Sequence, residues 1–502
     1  MNMGRAYKDV FELSGVPAFR EFYQFSIFPA KAVYKGMYSP WHIVSAPTID
    51  NPRHERQLFR TNIAKAICAE LAGLVWDEQA EIHVNDGDDL LSEFVLSVLN
   101  ENAFFEKMQE HIEQSAALGG GALKAYVTGD YGDNGIIKGT EHIVIDYCMA
   151  DQFIPTSWNN AQVDEAVFVS RKAKGGYYYT RLEWHEWDGE TYIVKNELFR
   201  ADRDSQDILG FRYPLNEVYP ELLPLAEITG LSKSLFSYYR TPQANNLDDN
   251  SPLGMSIYGN AFDTLHALDI CYDSFVREFR LGKKKIIVPS SAVSTVVDPA
   301  TGELRRFFDP NDEAYEALPL DGEIAPKEVV TTLRVEEHIQ AMNALLSVLC
   351  LQIGLSAGTF TFDMNNGIRT ATEVISENSK TYKTIRSFQN MIVPAIKRLV
   401  QNIIELGALY QITYNGVSIA SLANNYDVSV TMEDAVLEDS QTKLNKGIIL
   451  LTNGLLSKKT LMTDPKYGLG MTDEEADAEL EQMANERKIT AGALDLFSMM
   501  TE

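Results

Sequence analysis

Two apolar-striped segments bracket a short insert in the second half of this chain, and no other feature restricts its fold as much. The first segment, Met255 to about Leu281, repeats Tyr258, Phe262, Leu265, Leu268, Tyr272, Phe275, Val276 and Phe279 at helical spacing. At about 1.5 Å per residue it makes a rod on the order of 40 Å long. The second, Val335 to Ile353, places Val335, Ile339, Met342, Leu346, Leu349 and Ile353 in alternating steps of four and three. Between them lie Lys283, Lys284 and Lys285, a strand-like Ile286–Val288, and turns at Asp298-Pro299 and Asp309-Pro310. Two rods therefore flank a small domain.

Upstream, residues 1–57 are rich in aromatics and prolines, and an extended arm with a short helix near Tyr7–Leu13 is expected. Helices are predicted over Leu58–Leu74 and from about Leu90 to Leu118, the latter closed by Gly119-Gly120-Gly121. Five strands follow: Ala122–Val127, Glu141–Tyr147, Glu165–Ala173, Tyr177–Trp187 and Thr191–Phe199. Turns such as Asp133-Asn134-Gly135 and Gly175-Gly176 separate them. Helices followed by antiparallel strands indicate an α+β domain extending to about residue 250. Beyond the rods, residues 354–372 are small and polar. A third long helix is predicted from about Glu373 to Leu409, bent at Pro394, which removes one hydrogen bond and clashes with the preceding turn. A strand, Asp427–Met432, and helices near Ser440–Thr452, Ser457–Met462 and Thr472–Lys488 complete the chain. A length of 502 residues allows three or four domains.

The chain is acidic, with 44 basic against 71 acidic residues and a net charge of −27. Such a surface does not wrap nucleic acid by neutralising phosphates. It serves ordinary solubility, or it keeps a sliding polyanion off a pore wall. Cys68, Cys148, Cys271 and Cys350 form no CxxC pair, and three of them fall in apolar patterns, as buried free thiols do. Neither a signal peptide nor a myristoylation site is expected from Met1-Asn2-Met3-Gly4-Arg5. No apolar run approaches the roughly 18 residues that span a bilayer, so no membrane partner is expected.

Catalytic constellations were sought in turn. Gly119–Gly121 precedes Lys124 in the order helix, glycines, strand, which fits a helix cap and turn rather than a phosphate loop. His185 in Glu183-Trp184-His185-Glu186 has no second histidine at ligand spacing and reads as structural. Asp77, Glu78 and Glu81 read as a solvated acidic turn. No GxSxG occurs. No catalytic residue, metal or cofactor is assigned. Lys283–Lys285 either caps the first rod's C-terminus or contacts DNA or a partner.

Rod, insert, rod, polar loop and long bent helix, in that order, resemble the portal proteins of tailed bacteriophages. The resemblance rests on Asn62–Trp76 (NIAKAICAELAGLVW), Ala117–Tyr126 (ALGGGALKAY), Asp151–Ser157 (DQFIPTS) and Pro252–Asp273. It continues through Arg277-Glu278 before Gly282-Lys283, Gly358–Asp363 (GTFTFD) and Thr370–Ser376 (TATEVIS). It spans essentially the whole chain and looks like the portal family of long-tailed phages of Gram-positive hosts.

The resemblance implies a wing over residues 1–254, stem helices over 255–281 and 335–353, and a clip over 282–334. It further implies a tunnel loop over 354–372, a long helix with a returning wing strand over 373–435, and a crown over 436–502, without a crown extension. About twelve copies would ring a channel. That ring would sit at one capsid vertex of a virion assembled in host cytoplasm. It would dock the large terminase subunit, and later the head-tail adaptor, beside the major capsid and scaffolding proteins. Double-stranded DNA would pass through it without sequence readout. Thr359, Thr361, Asn365, Asn366 and Arg369 are the candidate tunnel-loop contacts. Lys283, Lys284, Lys285, Arg305 and Arg306 are the candidates in the clip. The rival readings are a phage-derived metal-dependent nuclease and a head-maturation or scaffold protein.

Overall fold

A computed structural model describes residues 4–17, 19–47, 51–76, 80–85, 89–131, 137–160, 162–204, 208–282, 285–287, 294–297, 302, 304–307, 327–329, 332–361, 379–423, 426–432, 447–463, 472 and 476–483. The N-terminal segment is helical where an extended arm was expected. Gly4–Leu13 is followed by Phe19–Phe22, a π-turn Tyr23–Ile27, and Phe28–Tyr34. Phe19, Phe22, Tyr23, Ile27, Ala30 and Val33 recur in steps suited to one helical face, and all are buried. Pro29 falls in the first turn of the last segment, where a missing N–H is tolerated. The fully buried Tyr23 donates its hydroxyl to the Phe153 carbonyl, tying this helical run to the sheets. A short antiparallel hairpin, Ile43–Ser45 with Glu55–Gln57, then leads to the helix Ile63–Val75.

The helix predicted over 90–118 is two helices, Leu90–Glu101 and Phe104–Leu118, broken at Ala103 with φ of 48°. Asn102 accounts for the break. Its side-chain amide donates to the carbonyls of Val98 (2.8 Å) and Ile143 (2.9 Å), and its oxygen accepts the Ile145 N–H (2.9 Å). One side chain thereby satisfies both a helix end and a strand. Gly119 closes the second helix in the left-handed region, φ 97°.

Two antiparallel sheets follow. The three-stranded sheet runs in the order Phe236–Arg240, Gly120–Tyr131, Ile137–Met149. The six-stranded sheet runs Phe211–Tyr213, Thr191–Asp202, Tyr177–Asp188, Gln162–Lys174, Phe153–Asn159. Leu225–Thr229 pairs further along the same edge of Thr191–Asp202. The long helix Ser379–Leu409 lies on the smaller sheet and buries Ile385, Phe388, Ile392, Ile396, Leu399, Ile403 and Leu406. Pro394, where the sequence predicts a bend, lies inside a continuous helix. At the next residue, the Ala395 carbonyl accepts the Ser237 hydroxyl at 2.9 Å. The predicted late strand, Asp427–Thr431, pairs with Glu81–Asn85. Helix, sheets and N-terminal segment share one apolar core, and the fold is α+β.

The first rod begins at Phe262, seven residues later than its apolar rhythm suggests. Tertiary bonds hold the preceding backbone out of a helix. The Thr241 hydroxyl donates to the Met255 carbonyl (2.6 Å) and the Ile257 N–H to the Ala116 carbonyl (2.9 Å). The chain passes so close to the helix cap that a Cβ on Gly119 would lie 2.3 Å from the Gly254 oxygen.

Candidate functional site

The rods Phe262–Leu281 and Val335–Ile353 pack as an antiparallel pair. Leu265 and Leu268 on the first, and Met342, Leu346, Leu349 and Ile353 on the second, are buried as their spacing predicts. Polar clamps hold the first rod at both ends, to the N-terminal segment at one and to the start of the second rod at the other.

At the body end, Asp269 and Asp273 stand four residues apart and face inward, beside Leu265 and Leu268. Asp269 accepts the backbone N–H and the hydroxyl of Thr61 at 2.8 and 3.0 Å, and its other oxygen lies 3.0 Å from His42 Nε2. The Tyr38 N–H donates to His42 Nδ1, which places the ring proton on Nε2, facing the carboxylate. Asp273 receives both terminal guanidinium nitrogens of Arg56 and the Phe59 N–H. Burial pushes the Asp273 carboxyl up, but Arg56 and the Phe59 N–H together hold it below its ordinary value.

At the far end, Glu278 of the first rod meets the start of the second. The Arg334 side chain, the Arg334 N–H and His338 Nε2 converge on its carboxylate at 2.7–3.2 Å. These bonds bring its pKa from 4.5 down to about 2.

The faces turned away from this seam are not uniformly polar. Ala341, Ala344, Val348 and Leu351 on the second rod are exposed and fall in steps of three and four, forming one stripe. Leu351 is 68% exposed and Val348 47%. Ile270 on the first rod is also exposed. Exposed charges on the rods are Asp263, Glu336 and Glu337 against Arg277 and Arg280, while Arg334, just before the second rod, is bonded to Glu278. With Asp269, Asp273 and Glu278 included, six carboxylates stand against two arginines along the rods, which therefore share the acidic excess of the chain.

After the second rod, Gly354 takes the left-handed conformation and the chain turns through Ser356. Thr359 is half-buried, and its hydroxyl donates to the Ser356 carbonyl at 2.8 Å, so it shapes the turn. Thr361 is exposed, with its hydroxyl 3.5 Å from the Asn343 amide oxygen on the second rod. Asn365, Asn366 and Arg369 lie outside the described residues, as do Lys283 and Lys284. Lys285 begins a strand, Lys285–Ile287, that pairs with Lys327–Val329. Arg305 and Arg306 belong to Leu304–Phe307, opposite Val296 and Thr295. The described clip candidates, Lys285, Arg305 and Arg306, thus fall on two separate strand pairs.

Lys124, Glu183 and His185, weighed for catalysis, have structural partners. Buried Glu183 is bonded by buried Lys124 (2.8 and 2.9 Å), Arg181 (2.9 Å) and His185 (2.9 Å). Burial alone would raise the Glu183 carboxyl; Lys124, His185 and Arg181 outweigh it and hold it well below the carboxylate range. The other His185 nitrogen contacts the Tyr192 hydroxyl at 2.6 Å. Glu81 is an exposed strand residue paired with Thr431, while Asp77 and Glu78 lie outside the described residues. Among the described residues, no group of three or more His, Cys, Asp or Glu side chains is placed to hold a metal ion, and no helix is long and apolar enough to cross a membrane. Cys68, Cys148 and Cys350 are buried, and Cys271 is half-buried.

Sequence reasoning missed Asp269 and Asp273. A usable signal existed: two carboxylates four residues apart, interleaved with the first rod's apolar stripe.

A family model described as phage portal protein, SPP1 Gp6-like, matches residues 28–492. Among solved structures, a chain from the neck of an empty gene transfer agent particle, computed with C6 symmetry, is 11% identical. That match covers 80% of this chain and 88% of the other, with a TM-score of 0.34. A chain from the virion of a native gene transfer agent particle is also 11% identical, covering 87% and 98%, with a TM-score of 0.31. No curated protein matches.

Proposed function

The chain belongs to the SPP1 Gp6-like phage portal protein family, and from that premise we propose that its rod pair lines a DNA channel closed by copies of itself. The chain is a structural portal subunit of a phage head-tail connector. The observation that carries the channel reading is the second rod's exposed stripe, Ala341, Ala344, Val348 and Leu351, on the face opposite a well-packed seam. An amphipathic rod with a second apolar stripe is incomplete as a monomer and buries that stripe against a neighbour.

In this reading about twelve rod pairs stand side by side, leaving a lumen wide enough for a duplex of about 20 Å. The wing spans residues 1–254, the stem 255–281 and 335–353, and the clip 282–334. The tunnel loop is 354–372, the long helix and returning strand 373–435, and the crown 436–502. Thr361, Asn365, Asn366 and Arg369 face DNA from the tunnel loop, and Thr359 holds the loop's entry. The clip, with Lys283–Lys285, Arg305 and Arg306, docks the terminase large subunit during packaging in host cytoplasm, and a head-tail adaptor replaces it in the virion. Capsid and scaffolding proteins contact the wing. The subunit performs no catalysis, so the packaging motor is another protein.

Electron microscopy of the purified chain tests the assembly. Rings with an open axis are expected; a monodisperse single chain at high concentration would sink the proposal.

A further inference from the structure

The long helix Ser379–Leu409 reverses the sign of the chain that contains it. It carries Lys380, Lys383, Arg386, Lys397 and Arg398 with one acidic residue, Glu405, in a chain of net charge −27. Ile385, Ile392, Leu399 and Ile403 turn its apolar stripe into the core. The basic residues fall on the other side. Lys383, Asn390 and Lys397 follow in steps of seven, which return to nearly the same face of an α-helix, drifting by about 20° per step. Lys383, Arg386, Asn390, Met391 and Pro394 are exposed, and Lys397, Arg398 and Gln401 are half-buried.

At one margin of this face, Lys380 donates to the Leu351 carbonyl at 2.9 Å and Arg398 to the Ser234 carbonyl at 2.8 Å. Bonds to neutral carbonyls position these cations without cancelling their charge. Beside Pro394 and Arg398 a cleft opens against the strand Phe236–Arg240, and Lys233, Gln162 and Asp164 line it. The acidic groups near the face are thus Asp164 and Glu405, and Glu405 already accepts the Ser232 hydroxyl. Lys380, Lys383 and Arg386 form one basic group, and Lys397 and Arg398 a second. Lys383 and Lys397 stand about 21 Å apart along the helix, at about 1.5 Å per residue. Between the two groups lie Ser387, Asn390 and Pro394, and Met391 is the one exposed large apolar side chain there.

We propose that this face binds the phosphate backbone of double-stranded DNA, with its two basic groups on phosphates at either side of a groove. A protein partner would need apolar and aromatic anchors at the centre of the contact, and Met391 alone supplies little. Cations, amides and hydroxyls are what phosphate oxygens accept from. The major groove is about 12 Å wide, so a helix laid across it reaches a phosphate ridge with each group and reads no base. The inference rests on the channel reading for the source of the duplex, and it adds a contact beyond the tunnel loop.

A labelled duplex of mixed sequence, titrated with the full-length chain and followed by fluorescence anisotropy at several salt concentrations, tests it. Log affinity should fall with log salt at a slope of about −4.5, as five neutralised phosphates require. Lys383→Gln and Lys397→Gln should each shrink that slope by about 0.9. Each should weaken binding at low salt about fivefold, a change of about 1 kcal/mol. Lys174→Gln, an exposed lysine on the six-stranded sheet, is the control and should change neither quantity. Circular dichroism checks that all variants remain folded, and mass photometry counts rings in the same samples. Absence of duplex binding, an unchanged slope in both helix variants, or an equal loss in Lys174→Gln would each overturn the proposal. Helix variants that bind duplex as wild type does but no longer close rings would also overturn it, assigning the face to a neighbouring copy. Wild-type single chains that bind duplex with the expected slope but form no rings would sink the channel reading and leave this contact standing.

Discussion

Arg56 sets its two terminal guanidinium nitrogens on the two carboxylate oxygens of Asp273, at 2.8 and 2.7 Å, across 217 positions of sequence. Asp273 is almost fully buried on the first rod, and Arg56 lies on the short hairpin of the N-terminal segment. A planar fork on a buried carboxylate fixes direction as well as distance. This contact, with Asp269 one turn earlier, sets how the rod leaves the body.

Removing Asp273 strips Arg56 of its partner and the Phe59 N–H of its acceptor at once. Asp273→Ala is expected to destabilise the chain by about 3 kcal/mol. Arg56→Ala should do less damage, because Asp273 keeps the Phe59 N–H. Urea unfolding midpoints at unchanged slope measure both, and a double-variant cycle isolates the pair. Independent, additive effects would show that the fork does not anchor the rod.

His111 should make stability fall as the solution is acidified from neutrality. It is buried against Tyr147 and Tyr239, and neither ring nitrogen has a hydrogen-bond partner among the described residues. Burial lowers its pKa from 6.5 to about 4. The neutral form is the native one, so the unfolded chain takes up a proton first. The stabilisation is complete above pH 6.5, declines as pH falls toward 4, and is then level. Its size is about 3 kcal/mol at roughly 1.4 kcal/mol per unit. His111→Phe should flatten that part of the stability-against-pH curve; a curve of unchanged slope would refute the assignment.

The Glu278 clamp acts in a lower window. Its carboxyl is held down by Arg334 and His338, so its contribution is present above pH 4.5 and is lost as pH falls toward 2. Glu278→Gln should therefore be less stable than wild type at neutral pH and converge with it near pH 2. Thermal scans of the two proteins across this range would show the convergence, and a constant gap would count against it.

The parts of the fold legible in the sequence were those with a clean period. The two rods, the long helix and the central strands all have alternating or three-to-four spacing over many residues. What escaped was set at a distance. Met255–Tyr258 continues the first rod's apolar rhythm, yet its backbone is claimed by Thr241 and Ala116. Ala103 looks like ordinary helix until Asn102 is seen bonding a strand. The N-terminal aromatics suggested a loose arm because Pro29 and the later prolines obscured a helical spacing. Of the candidate site, Thr359 and Thr361 sit where the second rod turns, but Asp269 and Asp273 gave no sign of their partners, which lie more than two hundred positions upstream.

Arg369 is the basic residue of the proposed tunnel loop, and its role is separable from assembly. Arg369→Ala should form rings of unchanged size, because in the proposed ring the rods carry the contacts between subunits. DNA packaged per particle should drop. Packaging at the wild-type level in an assembly assay would remove Arg369 from the DNA contacts.

The strongest test of the ring is on Leu351 and Val348. Both lie on the outer stripe, away from the seam formed by Met342, Leu346, Leu349 and Ile353. An exposed leucine contributes little to the stability of a single chain, so Leu351→Asp should leave the monomer's unfolding free energy within about 0.5 kcal/mol of wild type. In a ring the same side chain is buried against a neighbour, and a carboxylate there has no partner to offset its desolvation. The penalty recurs at every interface of a closed ring, so a modest cost per contact abolishes closure. Leu349→Asp is the control, since it strikes the seam and should unfold the rod pair itself. Mass photometry should then find folded single subunits for Leu351→Asp and rings for wild type. If Leu351→Asp assembles as wild type does, the outer stripe faces the lumen or solvent, and the contacts between subunits must be sought on the first rod, beginning at Ile270.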